Sequence, residues 1–158
     1  MIVAGHSLGS VIAYDTLNKI NIKANLPEGA AMPVQKIDGL ITFGSPLDKI
    51  AFFFHEENKK ENYIRQAFLD HLHSFKALPT HSEPGSQPVG NPIARKLDSI
   101  LWYNYYSPKD PISGHLDAYA IPDGNNISVL EDAEWGIAHI EYWKSEILFH
   151  HIESHFTI

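Results

Sequence analysis

Residues 5–9 read Gly5-His6-Ser7-Leu8-Gly9, a G-x-S-x-G pattern, and the residues on either side decide its structural meaning. The apolar run Met-Ile-Val-Ala at residues 1–4 precedes it and is typical of a buried parallel strand. Residues 10–20 follow without a Pro or Gly and predict a helix whose apolar face consists of Ile12, Ala13, Thr16 and Ile20. This order of strand, sharp turn and helix predicts that the turn presents Ser7 at its apex.

The chemistry of serine gives this spacing a physical reason. A serine hydroxyl is a weak nucleophile unless it is held in the open beside a base. Because the turn is tight, we expect that side chains at Gly5 and Gly9 would collide with the neighbouring strand or helix. The backbone N–H of Leu8 lies at a helix N-terminus, where it can donate to a developing oxyanion. His6 is expected to pack within the turn.

A second stretch strengthens this interpretation. Residues 39–46 read Gly39-Leu40-Ile41-Thr42-Phe43-Gly44-Ser45-Pro46. Together with residues 5–9, they resemble the serine-nucleophile strand and the following strand of an α/β-hydrolase of the lipase/esterase type. The resemblance extends over most of the chain but only over the second half of that fold. It implies an α/β structure in which helices flank a mostly parallel sheet that carries a cap-like insertion.

The resemblance also implies a division of the chain. Residues 1–47 would hold the serine turn and the next strand, 48–98 the cap-like insertion, and 99–158 the acid and histidine segments of one partial domain. The serine of that fold follows its fifth strand, so a serine at residue 7 implies that the N-terminal strands are missing. Residues 1–4 would then form an exposed edge strand able to pair with another chain. The alternative is a complete small domain whose first strand is a genuine edge.

Composition excludes several classes of function. The 158 residues are 44% hydrophobic and 20% charged, which is ordinary for one globular domain. The net charge of −7, without a basic stripe, argues against a nucleic-acid partner. No run approaches the ~18 apolar residues of a transmembrane segment, and no signal peptide is recognisable. The absence of cysteine fits a reducing, cytoplasmic compartment.

The rest of the chain predicts three more strands and two helices. The strands are expected at residues 37–43, where Pro46 prevents continuation, at 99–106 and, more weakly, at 127–130. A final helix over 140–153 would place Ile140, Trp143, Ile147 and Leu148 on one side. Within the insertion, residues 63–78 have helical spacing and 79–92 are loop. Phe52, Phe53 and Phe54 would either contact an apolar acyl group or, as we slightly favour, pack as core.

In the hydrolase fold the partners of the serine follow in the order acid, then histidine. Asp110 comes directly after the strand at 99–106 and would fix the tautomer of the histidine. Asp117 competes for this role, whereas Asp123 is explained by a Pro-Asp-Gly turn. His139 follows the last strand, where residues 138–143 resemble the His-x-x-Tyr-Trp of related hydrolases. It would take the Ser7 proton and later give it to the leaving group.

Three further residues are candidates for lining the site: Gly44, Ser45 and His115. Ser45 is a poor second nucleophile because no glycine follows it at the required spacing. His151 and His155 share a helix face at a spacing suited to a metal, but no third ligand is evident. The sequence therefore predicts neither a metal nor a cofactor.

These observations predict a serine hydrolase that cleaves an ester or related acyl bond through an acyl-enzyme. The substrate would be a small-molecule or lipid-like acyl compound. The three phenylalanines at residues 52–54 favour a lipid-like acyl group. A serine peptidase or a thioesterase of the same fold remains an alternative, because the three residues do not distinguish these bonds. A catalytically incomplete hydrolase fragment that acts as an interaction module is the rival from another class.

Overall fold

The computed structural model describes residues 1–27, 34–56, 75–76 and 93–156. Four strands form one sheet: β1 (Ile2–His6), β2 (Gly39–Phe43), β3 (Leu101–Tyr106) and β4 (Asn126–Ser128). The strands are all parallel and lie in the order β1-β2-β3-β4. His6 pairs with Phe43, and Phe43 with Tyr105, so the carboxyl ends of the first three strands reach the same edge of the sheet.

Helices connect and follow these strands. The α-helices are α1 (Leu8–Ala24), α2 (Leu47–Glu56), α3 (Ala138–Glu141) and α4 (Glu146–His155). Short 3₁₀ turns occupy Val34–Lys36, Asp123–Asn125 and Tyr142–Lys144. A parallel sheet with flanking helices belongs to the α/β class, as the sequence predicted. No helix within the described residues is long and apolar enough to cross a membrane.

Alternation along β2 and β3 produces a core on each face of the sheet. Leu40 and Trp102 point to one face, where they pack with Tyr14 of α1. Ile41 and Tyr103 point to the opposite face, in a second cluster that includes Leu148 of α4. Because successive strand side chains face opposite ways, an apolar strand covered on both faces contributes to both clusters. All five residues of β2 are buried, which places this strand at the centre of the described structure.

The predicted apolar face of α1 is confirmed for Ala13 and Ile20, which pack in or against the core, and wrong for Ile12 and Thr16. Ile12 is 67% exposed and Thr16 is exposed, whereas the buried face includes Ser10, Ala13, Tyr14, Leu17, Asn18 and Asn21. Two of these polar side chains have specific partners. Asn18 accepts a hydrogen bond from the N–H of Phe75, and Asn21 accepts one from the N–H of Lys96. Because paired amides can be buried, the apolar pattern alone left out Asn18 and Asn21 from the buried face.

The predicted final helix is wrong in extent, and its four apolar residues differ in burial. It is interrupted at Ser145, whose hydroxyl accepts the N–H of Leu148 and so caps the N-terminus of α4. Leu148 is buried, but Ile140, Trp143 and Ile147 are all exposed. A cap in the middle of an apolar pattern divides it into two helical segments.

The remaining boundaries differ only slightly from prediction. Strands β2 and β3 each begin two residues later than expected, and β4 covers 126–128 instead of 127–130. Within the described residues, β1 lies at one edge of the sheet, as predicted. Most of the cap-like insertion, including nearly all of the predicted helix at 63–78 and the loop at 79–92, lies outside the described residues, as do the side chains at 52–54.

Candidate active site

Ser7 occupies the turn between β1 and α1. Its backbone has φ 54° and ψ −129°, a conformation that side-chain-bearing residues rarely adopt. The N–H of Ser7 donates to the carbonyl of Phe43 at 3.0 Å, and the N–H of Ser10 donates to the carbonyl of Ser7 at the same distance. These bonds hold the strained residue where the strand ends and the helix begins.

The two glycines of the turn have different roles. A Cβ built at Gly5 would lie 2.5 Å from the carbonyl oxygen of Gly9 and 2.6 Å from Cα of Ser10. For Gly9, in contrast, no described atom lies within 4 Å of a built Cβ. The expected collision is therefore confirmed for Gly5 and wrong for Gly9. The strand residue must lack a side chain so that the backbone of α1 can approach it.

Ser7, His139 and Asp110 lie together at the carboxyl edge of the sheet. Ser7 Oγ is 2.9 Å from His139 Nε2, and His139 Nδ1 is 2.9 Å from Asp110 Oδ2. Ser7 follows β1, Asp110 lies beyond β3, and His139 is in α3, after β4. The parallel topology thus gathers residues that are separated by 132 and 29 positions along the chain.

Asp110 is buried and accepts several hydrogen bonds. Its Oδ1 accepts the N–H of Ile112 at 2.8 Å, and its Oδ2 accepts His139 Nδ1–H and the hydroxyl of Tyr142. Burial by itself would raise the pKa of Asp110, but the hydrogen bonds from His139 and Ile112 outweigh it, and the pKa falls below its usual value. An ionised carboxylate therefore faces Nδ1 of His139 and favours the tautomer that leaves Nε2 free for Ser7.

Tyr142 contacts Asp110, and sequence reasoning gave it no role. It is fully buried, and its hydroxyl lies 3.1 Å from Asp110 Oδ2 and 2.9 Å from Ser113 Oγ. Burial raises its pKa, so the phenol keeps its proton and remains a donor. The available signal was its position three residues after His139, which places both on one turn of a helical segment.

His6 packs within the turn, as expected, and it also contacts the segment that carries His139. Its Nε2 lies 2.8 Å from the carbonyl oxygen of His139, and its ring stacks on Phe43 at 5.0 Å. Gly44 has a positive φ of 59°, and a Cβ there would come within 3.2 Å of the His6 ring and 3.0 Å of the Tyr142 ring. Gly44 therefore makes room for the two rings that flank the site.

The other two lining candidates differ in position. Ser45 is buried, and its hydroxyl oxygen lies 2.8 Å from that of Ser10. The Ser10 hydroxyl in turn contacts the carbonyl oxygen of Ser7. His115 instead pairs with the exposed carboxylate of Asp117 at 2.7 Å. No described contact joins His115 or Asp117 to Ser7, so the competing acid lies outside this hydrogen-bonded set.

Exposed apolar residues lie within four positions of Ser7 or His139 along the chain, among them Leu8, Ile140 and Trp143. Leu8 is 67% exposed and begins α1, so its N–H has no acceptor within the helix. Ile140 and Trp143 are 65% and 60% exposed in the segment that carries His139. Elsewhere, the rings of His151 and His155 stack at 3.9 Å, but the described residues contain no group of three potential ligands that could hold a metal.

The fold and the site together define a chain of the α/β class with a serine, a histidine and an ionised aspartate joined by hydrogen bonds. Comparison with known proteins found no matching family model, no similar curated protein and no similar solved structure.

Proposed function

We propose that this chain is a serine hydrolase of the lipase/esterase type that cleaves a carboxylic ester through an acyl-enzyme. The observation that carries the proposal is the continuous contact from Ser7 Oγ through His139 to Asp110, with 2.9 Å at each step. The strained backbone of Ser7 supports it, because strain of this kind is concentrated at functional sites.

The reaction would follow from this geometry. Ser7 Oγ attacks the carbonyl carbon of the ester while His139 Nε2 takes its proton, and the carbonyl oxygen becomes an oxyanion. The N–H of Leu8 donates to that oxyanion, and Asp110 stabilises the imidazolium that forms. His139 then protonates the leaving alcohol, and the acyl group remains on Ser7. A water molecule, deprotonated by His139, releases the acid and restores the Ser7 hydroxyl.

The exposed apolar side chains close to Ser7 and His139 in the chain support an ester with an apolar acyl group. Leu8, Ile140 and Trp143 would shield the acyl group from water. Each Å² of apolar surface buried in this way would contribute about 25 cal/mol to the binding free energy. With p-nitrophenyl esters from acetyl to dodecanoyl, we expect kcat/KM to rise with chain length. Equal values across the series would contradict the apolar acyl preference, and preference for a matched anilide would indicate a peptidase.

A fluorophosphonate probe tests the nucleophile directly. Intact mass should show one adduct on the wild-type chain and none on Ser7→Ala. Ser154→Ala is the matched control, because it removes an exposed serine hydroxyl on α4 whose described partners lie within that helix, and it should label normally. A chain that is folded by circular dichroism yet stays unlabelled would refute the proposal, as would an adduct that persists in Ser7→Ala.

A second candidate function rests on β1. Its five residues pair with β2 on one side, and apart from His6 they carry no ionisable side chain to discourage further pairing. The chain would then act as an interaction module through this edge. Sedimentation velocity over a concentration series, with hydrogen exchange of residues 2–6, tests this: a monomer with unprotected amides would exclude it.

A further inference from the structure

A directional hydrogen-bond chain ends on the carboxylate of Asp110. Asp110 is ionised and can only accept, so the Tyr142 hydroxyl must donate its single proton to Oδ2. The oxygen of Tyr142 is then the acceptor for the hydroxyl of Ser113, 2.9 Å away. The Ser113 oxygen also accepts the backbone N–H of Ser107 at 3.3 Å, and the Ser113 hydroxyl interacts with the Asp110 carboxylate as well, where it helps to lower the pKa of Asp110. The donors in this chain, the Ser107 N–H and the hydroxyls of Ser113 and Tyr142, are therefore all directed towards the carboxylate.

This chain ends on the oxygen that faces the histidine. Oδ2 accepts both Tyr142 and His139, whereas Oδ1 accepts the N–H of Ile112. The carboxylate is thus held at both oxygens, and rotation about its Cβ–Cγ bond would break at least one of these bonds. The Asp110 side chain has no solvent exposure, so water cannot replace a missing donor.

The ring and the hydroxyl of Tyr142 have separable contributions. The ring packs 6.1 Å from Phe43 and 5.9 Å from His6, in the core on that face of the sheet. Phenylalanine keeps these contacts and removes only the hydroxyl. Tyr142→Phe therefore separates a role in packing from a role in orienting Asp110.

We infer that Tyr142 is a positioning residue that holds the Asp110 carboxylate aligned on His139, an inference that rests on the proposed hydrolase function. The segment at residues 138–144 then supplies both the base and the group that orients the acid. Coupling both roles to one segment means that a displacement of this segment moves the base and releases the acid together.

The test compares Tyr142→Phe with Tyr105→Phe. Tyr105 is an equally buried tyrosine on the same face, but its hydroxyl contacts His151, away from Ser7. We expect Tyr142→Phe to slow fluorophosphonate labelling about five-fold, the worth of one ordinary hydrogen bond, while Tyr105→Phe labels like the wild type. The pKa of the Asp110 carboxyl, followed by its ¹³C resonance, should rise in Tyr142→Phe alone, because the ionised form loses a donor.

The two readouts separate this inference from the proposed function. If the wild-type chain never labels, the proposed hydrolase function is refuted. If the pKa of Asp110 nevertheless rises in Tyr142→Phe, the contact by which Tyr142 positions Asp110 is still supported. Wild-type rate and titration in Tyr142→Phe would overturn the inference even if the enzyme is active. If Tyr142→Phe fails to fold, Ser113→Ala removes a hydroxyl that contacts both Tyr142 and the Asp110 carboxylate, and the pKa of Asp110 should again rise; an unchanged pKa would overturn the inference.

Discussion

Replacing Gly5 by alanine tests the close approach of backbones that forms the serine turn. The new Cβ would lie 2.5 Å from the Gly9 carbonyl oxygen and 2.6 Å from Cα of Ser10. Both atoms belong to the backbone, so no side chain can swing away, and the first turn of α1 must move from β1. Overpacking of a core lowers the free energy of unfolding by about 1–3 kcal/mol. Because the neighbouring atoms are rigid backbone, we expect about 3 kcal/mol for this substitution.

The same movement would misplace Ser7. Its hydroxyl lies 2.9 Å from His139 Nε2, and a shift of roughly 1 Å in such a geometry costs about 10²-fold in rate. We therefore expect Gly5→Ala to unfold at a lower urea concentration and to react with a fluorophosphonate about 10²-fold more slowly than the wild-type chain.

Gly9→Ala is the matched control. Gly9 is the second residue of α1, and no described atom lies within 4 Å of its built Cβ. Alanine in a helix is favoured over glycine by about 1 kcal/mol, so this variant should be more stable than the wild type. Urea unfolding with equal slopes would give a difference of about 4 kcal/mol between the two variants. If both variants unfold at the same urea concentration, the tight approach at Gly5 does not exist.

Other substitutions test the strain at Ser7 and the ionisation of Asp110. Ser7→Gly should gain about 1 kcal/mol in free energy of unfolding by relieving the positive φ, whereas Ser7→Ala should not; equal urea midpoints would argue against strain. Asp110→Asn should slow labelling by about 10³–10⁴-fold, whereas Asp117→Asn should label normally, and the reverse order would identify Asp117 as the acid. The lowered pKa of Asp110 means that its ionised form stabilises the fold above the unfolded pKa of about 3.9 and that this stabilisation is lost as the pH falls through the folded value. The lower stability of Asp110→Asn relative to the wild type at pH 7 should accordingly shrink as the pH falls below about 3.9, measured by urea unfolding at a series of pH values, and a constant difference would contradict the lowered pKa.

Local chemistry made much of the fold and of the candidate site predictable. The turn at Ser7 depends on neighbouring residues, and the strand at 39–43 is a continuous apolar run that ends at Gly44 and Pro46. Asp110 and His139 were predicted from the resemblance to α/β-hydrolases, in which an acid and then a histidine follow the serine along the chain. The structure brings both to within hydrogen-bonding distance of the predicted partners.

The sequence by itself predicted the α/β class and the serine turn, because both depend on local pattern, and the resemblance to α/β-hydrolases pointed to Asp110 and His139. Only the tertiary structure decided which face of α1 is buried, since Asn18 and Asn21 become acceptable in the interior once their amides find backbone partners. It also decided that Gly5, rather than Gly9, is required for close approach, and that Tyr142 contacts Asp110. These facts depend on distances between segments far apart in the chain, and a pattern of residue types contains no distances.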